Sequence, residues 1–348
     1  MTTPRSKQID LSVTPYYHVV SRCVRRAFLC GSDKLTRRSF DHRRGWLVER
    51  FRQLAGVFAI DVAAFACMSN HYHLILRVDR ERAKEWTDDE VVRRWGSLCG
   101  GGAAYRYRQQ QALSEADKIE IAVKTPTWRE RLHDISWFMR LLNEFIARRA
   151  NLEDGCKGRF WEGRFKSQAL LDERALFAAM AYVDLNPIRA TLAETLVDSN
   201  YTSVQERVVS HAKIHSPRSA IAKRSLPYDD ELLPALVPFS DQVVRRIGHP
   251  RKAVPLPCTF DSYLALAEWT GRQLRKNKRG AIPQGAKSIL FELGIDQEDW
   301  LHTVRNIRHG FSFAVGGLSS LTKWRDQLGQ QWVKGLGRHV GRRAVQQT

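Results

Sequence analysis

Polar and apolar side chains alternate with a period of two along residues 71–78, which predicts a half-buried β-strand. His71 and His73 lie on one face of this strand (the histidine strand), and the opposite face is apolar, with Tyr72, Leu74, Leu76 and Val78. Two imidazoles on the same side of a strand are close enough to hold one divalent cation between them. Ordinary structural histidines explain the pattern equally well, so a cation site requires a third ligand from elsewhere in the chain.

The same periodicities predict an α+β order. The predicted elements are a strand over 16–24 with His18 and Arg22 on one side, a helix over 34–55 capped by Ser32 or Asp33, a strand over 60–66, the histidine strand, a helix over 135–150, a strand around 164–170 and a helix over 174–186. Ser69 and Asn70 predict a hairpin turn before the histidine strand. Pro187 is expected to end the last helix at or just before Asn186. This order is typical of an antiparallel sheet covered by helices.

Changes in sequence character divide the chain into a first domain over 1–205 and a second part. Residues from about 80 to 131 are irregular and predict a helical insertion. Residues 206–259 are rich in Pro, Ser and basic groups, as in a linker with short helices. Residues 260–348 predict a small, mainly helical module with helices over 260–274, 286–293 and 298–308, a basic cluster over 272–279 and a basic tail over 338–343.

The composition narrows the choice of partner. The 348-residue chain carries a formal charge of +19, from 56 Lys and Arg against 37 Asp and Glu. This excess points to a polyanion, with nucleic acid favoured over an anionic membrane surface. With no long apolar run and no signal-peptide core at its start, the chain is expected to be a cytoplasmic protein outside the membrane. Six scattered cysteines predict neither a zinc ribbon nor a disulfide framework.

Tyr182 and Asn186 stand four residues apart, hence on one face of the last predicted helix. If that face covers the histidine strand, Asn186 supplies the third ligand and the Tyr182 phenol stands beside the cation. Such a site leaves positions open for water and a phosphate, which favours Mg²⁺ or Mn²⁺ over zinc and phosphodiester transfer through a covalent phosphotyrosine. Tyr182 as a core residue and Asn186 as a helix C-cap are the ordinary alternatives. Tyr72 is the rival nucleophile, but the alternation points it into the core.

Three motifs resemble one known family. They are SNHYHL, which contains His71 and His73, GRFWEGRFK over 158–166, and YVDLNPIRA over 182–190. Together they resemble the REP-associated tyrosine transposases, a single-tyrosine branch of the HUH endonucleases, over about residues 12–205.

The resemblance implies a ferredoxin-like antiparallel sheet flanked by helices, and Mg²⁺- or Mn²⁺-dependent cleavage and rejoining of single-stranded DNA, usually at REP hairpins. It makes His71 and His73 metal ligands, Tyr182 the nucleophile and Asn186 a further member of the metal shell. Asp184 departs from the histidine that many members carry, and its role as a ligand stays open. Some members dimerise, so a homodimer also stays open.

The leading hypothesis is therefore a DNA strand transferase that acts on hairpin-bearing single strands. Basic side chains are expected to hold backbone phosphates, and Trp161 to stack on an unpaired base; the basic residues are Arg22, Arg159, Arg164 and Lys166. Two alternatives remain: a non-catalytic regulator that binds palindromic DNA, and a metal-dependent hydrolase that uses water as its nucleophile.

Overall fold

The protein folds into a five-stranded mixed sheet flanked by helices, followed by a helical C-terminal region. This computed structural model describes residues 4–5, 8–24, 29–33, 37–228, 234–242, 254–274, 282–329 and 331–336. The strands are β1 (Tyr16–Arg22), β2 (Ile60–Cys67), β3 (His71–Val78), β4 (Lys166–Leu170) and β5 (Ala314–Val315). Their order across the sheet is β2-β3-β1-β4-β5. The first four are antiparallel to their neighbours, whereas β5 runs parallel to β4, so the sheet is mixed and not wholly antiparallel as predicted.

The helices follow the predicted order closely. They are α1 (Arg43–Val57), α2 (Arg80–Glu85), α3 (Asp88–Gly96), α4 (Ala103–Arg108), α5 (Glu115–Arg131), α6 (Ile135–Glu153), α7 (Glu173–Asp184), α8 (Asn186–Arg189), α9 (Ser203–His215), α10 (Phe260–Leu274), α11 (Gln284–Glu292), α12 (Gln297–Asn306) and α13 (Leu318–Gln327). No helix in the described ranges is long and apolar enough to cross a bilayer. Most of the predicted basic cluster (Arg275, Lys276, Lys278 and Arg279) and the basic tail (Arg338, Arg342 and Arg343) lie outside the described residues.

Strand register decides which side chains share a face with the histidines. In the β1–β3 ladder Arg22 pairs with His71, and in the β1–β4 ladder His18 pairs with Gln168. Cross-strand partners point to the same side of a sheet, so these side chains join His71 and His73 on one face. Helix α7 covers that face, whereas the opposite face packs against α1 and α6.

The first helix begins later than its sequence pattern predicts. It starts at Arg43, its N-cap is His42 without a side-chain cap, and the predicted caps Ser32 and Asp33 are wrong. The preceding segment folds back on itself instead, with Phe40 N–H donating to the Gly31 carbonyl at 2.7 Å. These backbone groups are already paired, so they are not available to a helix.

Asp184, at the end of α7, ties the C-terminal region to the sheet. Its carboxylate is fully buried and accepts hydrogen bonds from the Ser203 hydroxyl at 2.6 Å, the Val204 N–H at 3.2 Å and the Tyr263 hydroxyl at 2.5 Å. Burial raises the pKa of Asp184, opposed by these hydrogen bonds and by the charge of Arg207. One side chain thus connects α7 with α9 and α10. The predicted boundary near 205 falls within α9, and the division into a first domain, a linker and a C-terminal module stays a prediction.

We expect Asp184→Ala to lower the free energy of unfolding by about 3 kcal/mol or more, because three buried donors lose their acceptor. Denaturant unfolding of the full chain measures this loss. Asp198→Ala is the matched control: Asp198 is exposed and pairs with Arg224, so its removal should cost no more than about 1 kcal/mol. Equal losses in the two variants would show that Asp184 is not a structural tie.

Candidate active site on the histidine face

Three histidines stand together beneath α7. His71 and His73 project from β3 with ring centroids 4.9 Å apart. His18 projects from the neighbouring β1, and its Nε2 lies 2.9 Å from Nδ1 of His73. His18 and His73 are each 3% exposed. The period of β1 already puts His18 on the same side as Arg22, but only the strand pairing shows that it touches His73.

Tyr182 and Asn186 reach the same place from the other layer. The Tyr182 ring lies 5.6 Å from the His73 ring and 6.0 Å from the His18 ring, measured between centroids. The Asn186 amide nitrogen lies 3.1 Å from Nε2 of His73. The structure therefore brings together His71, His73, Tyr182 and Asn186.

The chain between Tyr182 and Asn186 differs from the prediction in one respect. Helix α7 ends at Asp184, and Asn186 begins the short helix α8. Pro187 lies in the first turn of α8, where its missing N–H has no helical partner to lose. Proline therefore starts a helix here and does not simply end one.

Burial sets the protonation of the imidazoles. It lowers the pKa of His18 to about 4 and, with the charges of Arg22 and Arg308, that of His71 to about 4. Burial and the neighbouring His18 and His71 lower the pKa of His73 well below its usual range. The rings are therefore neutral near neutral pH, and each carries one N–H donor and one nitrogen lone pair.

The donor set suits a cation that is only partly held by protein. Within the described ranges, no group of three His, Cys, Asp or Glu side chains forms a metal site. Both oxygens of Asp184 are bound to Ser203, Val204 and Tyr263, so Asp184 does not join the histidines. Two neutral imidazoles and the Asn186 side-chain oxygen fit an ion whose remaining positions are filled by water or phosphate oxygens. Binding in this way requires the Asn186 amide to turn, because its nitrogen faces His73 here.

Strand register places two of the four predicted phosphate-binding residues, Arg22 and Lys166, on this face. Arg22 is the cross-strand neighbour of His71, and Lys166 is exposed at the start of β4. Arg159 and Arg164 are exposed in the segment before β4, and Arg159 donates to the Trp161 carbonyl at 2.9 Å. We call these four residues the cationic rim (Arg22, Arg159, Arg164 and Lys166), and their contact with phosphate groups stays a prediction.

The structure contradicts the prediction that Trp161 stacks on an unpaired base. It is 9% exposed, its indole N–H donates to the Asn143 carbonyl at 2.8 Å, and its ring packs against Tyr72 and Phe160. In this position the ring belongs to the core and presents no open face on which a base could stack. The prediction rested on the aromatic character of Trp161 alone and was wrong because the ring is buried.

Two arginines near the site were missed by reasoning from the sequence. The Arg189 guanidinium lies 5.0 Å from the centre of the Tyr182 ring. Its place seven residues after Tyr182, in the YVDLNPIRA motif, is a signal that could have found it. Arg308 follows α12, and its charge lowers the pKa of His71 and His73. Nothing local in the sequence marks Arg308.

Comparison with known proteins adds little to this geometry. No protein-family model matches the chain, and no curated protein matches it. A solved structure of a REP-associated tyrosine transposase bound to a REP hairpin is similar with a TM-score of 0.34 and 12% identity, over 68% of this chain and 99% of that one. Similarity at this level does not establish a shared fold or function.

We expect the metal-free protein to lose stability as the pH falls from about 7 towards 4. His18 has a pKa of about 4 when folded and about 6.5 when unfolded, so between these values the unfolded chain binds more protons. The free energy of unfolding then falls by up to about 1.4 kcal/mol per pH unit for this residue. Denaturant unfolding across this pH range should show that the free energy of unfolding depends less steeply on pH in His18→Gln than in the parent. An unchanged slope would mean that His18 titrates alike in both states.

Proposed function

We propose that this chain is a DNA-processing enzyme of the transposase type, which cleaves and rejoins single-stranded DNA at hairpins with Tyr182 as its nucleophile. The observation that carries the proposal is the convergence of Tyr182, His71, His73 and Asn186 on one face of the sheet. The motif resemblance to the REP-associated tyrosine transposases points the same way.

A ferredoxin-like core is part of this proposal. Strands β1 to β4 have the order β2-β3-β1-β4, with antiparallel neighbours. Helix α1 connects β1 to β2, and α6 precedes β4. A split β-α-β arrangement of this kind supports the assignment. The insertion over α2 to α5 and the region from α9 onward are additions to that core.

In the proposed reaction the Tyr182 oxygen attacks the scissile phosphorus in line. A bond forms between tyrosine oxygen and phosphorus, and the ester bond to the departing strand breaks, leaving that strand with a free hydroxyl. Attack by a strand hydroxyl on the phosphotyrosine reverses these bond changes and rejoins the DNA. Arg189, beside the Tyr182 ring, supplies positive charge close to the phosphate under attack.

His71, His73 and Asn186 would hold the Mg²⁺ or Mn²⁺ through neutral donor atoms. A bound ion of this kind would polarise the scissile phosphate. The three side chains otherwise orient the phosphate relative to Tyr182, and their lack of negative charge avoids repelling it.

A preference for single strands follows from the burial of the nucleophile. Tyr182 is 7% exposed and is held by a helix packed on the sheet. The phosphate must therefore enter a recess, which a flexible single strand does more readily than a duplex. The cationic rim would position the backbone on either side of that recess.

A non-catalytic regulator that binds palindromic DNA is the second candidate. The absence of a carboxylate from the imidazole pair, among the described residues, favours it, because neutral donors bind a divalent ion weakly. The same rim would then serve binding alone. A hydrolase that uses water is the third, and it would cut DNA without becoming attached.

Tyr182→Phe should bind a labelled hairpin oligonucleotide with a single-stranded flank as tightly as the parent, but form no covalent adduct with Mg²⁺ or Mn²⁺. A denaturing gel reads out the adduct. Tyr72→Phe is the control, since the Tyr72 hydroxyl is buried against Asn143, and it should keep the adduct. An adduct of normal yield in Tyr182→Phe would refute the nucleophile, and cleavage without an adduct in the parent would indicate the hydrolase.

Lys166→Ala should weaken DNA binding and reduce the slope of log K against log salt concentration by about 0.7, the value for one phosphate contact on a single strand. Lys118→Ala is matched in chemistry, but Lys118 lies on α5 and pairs with Glu115, so it should leave the slope unchanged. Equal slopes for Lys166→Ala and the parent would remove Lys166 from the interface.

A further inference from the structure

A chain of hydrogen bonds runs from the C-terminal region to the imidazole pair. It begins at the segment after α12, where the carbonyl oxygens of Ile307 and Ser312 each lie 3.0 Å from the side-chain nitrogen of Gln168. The Gln168 side-chain oxygen lies 3.0 Å from Nδ1 of His18. Nε2 of His18 lies 2.9 Å from Nδ1 of His73.

The two carbonyls decide the orientation of the Gln168 amide. A carbonyl oxygen only accepts, so both must face the NH₂ group of Gln168, which then donates to each of them. The Gln168 oxygen is thereby turned towards His18. Because that oxygen also only accepts, Nδ1 of His18 must carry a hydrogen and donate it.

The position of the hydrogen on His18 determines which nitrogen of His73 carries a hydrogen. His18 and His73 are each 3% exposed and lie against each other, so both rings are taken as neutral, with a single hydrogen each. On His18 that hydrogen is on Nδ1, so its Nε2 is an acceptor and Nδ1 of His73 must be the donor across the 2.9 Å contact. The one hydrogen of His73 is then on Nδ1, and its own Nε2 has none. That nitrogen lies 3.1 Å from the Asn186 amide nitrogen.

We infer that Gln168 and His18 are positioning residues that hold His73 in its Nδ1–H tautomer, with the direction of the chain set by the backbone carbonyls of Ile307 and Ser312. The Nε2 lone pair of His73 is thereby kept facing Asn186. The opposite tautomer would put a hydrogen where a cation has to bind. The tautomer assignment stands on the contacts and on the burial of both rings, and its importance for cation binding rests on the proposed function.

The inference also gives the C-terminal region a part in the site. The hydrogen-bond chain starts at two backbone carbonyls, so the contribution of segment 307–312 depends on where its backbone lies and little on its side chains. Strand β5, which follows directly and pairs with β4, holds this segment against Gln168. Outer hydrogen-bond partners of this kind orient metal-binding histidines in other proteins.

Nitrogen-15 spectra of the imidazoles test the assignment in the full-length, metal-free and DNA-free protein near neutral pH. Nδ1 of His73 should show the shift and proton coupling of a protonated nitrogen, and Nε2 those of an unprotonated one. A His73 ring with its hydrogen on Nε2 in the parent protein would overturn the inference without any variant being made.

Variants then test the chain link by link. Gln168→Leu removes the acceptor for His18 and should produce a second His73 tautomer and weaken Mn²⁺ binding, measured by calorimetry, by about 10-fold. His18→Leu should do the same, whereas His18→Gln offers His73 an amide oxygen near the position of Nε2 and should restore the parent spectrum. Gln111→Leu, at an exposed site, is the control and should change neither quantity.

The failures can be told apart. A parent-like His73 spectrum in folded His18→Leu or Gln168→Leu would refute the positioning chain, even if the protein forms covalent DNA adducts. The expected spectra, together with no covalent DNA adduct in the parent protein, would refute Tyr182 as the nucleophile but would still support the hydrogen-bond chain. If a leucine variant does not fold, the parent and His18→Gln spectra still decide.

Discussion

The site depends above all on the burial of its imidazoles. His18 and His73 are buried and His71 is partly buried, in positions where a charged ring would be poorly solvated. Burial keeps the rings neutral, and neutrality leaves each ring one donor and one acceptor nitrogen. In that state the rings orient hydrogen bonds and add no negative charge, which suits the cation and the phosphate of the proposed function.

Such a site needs rigid support, because its donors are few and its geometry is easily lost. The support comes from parts of the chain that are distant in sequence. Asp184 joins the end of α7 to α9 and α10 through three hydrogen bonds, and Gln168 joins β4 to the segment after α12. The region after residue 203 therefore holds the helix that carries Tyr182, whatever further contacts it makes.

Local chemistry accounts for much of what was predictable. Period-two alternation identified β1 to β4, and helical spacing identified α6, α7 and α10. The late start of α1 was not predictable in this way, since it depends on the pairing of Gly31 with Phe40. The burial of Trp161 in the core was not predictable either, because an aromatic residue in a basic segment is equally common in an interface and in a core.

The sequence by itself determined the strand that presents His71 and His73 on one side and the helix that carries Tyr182, since each depends on residues close together in the chain. It also determined the excess of positive charge, which is a sum over the whole composition. Only the tertiary structure decided that His18 touches His73, that Asp184 turns away from the histidines, and that Ile307 and Ser312 reach Gln168. Those three contacts depend on strand register and on the packing of distant segments. The spacing of side chains along a single element determines neither the register nor the packing.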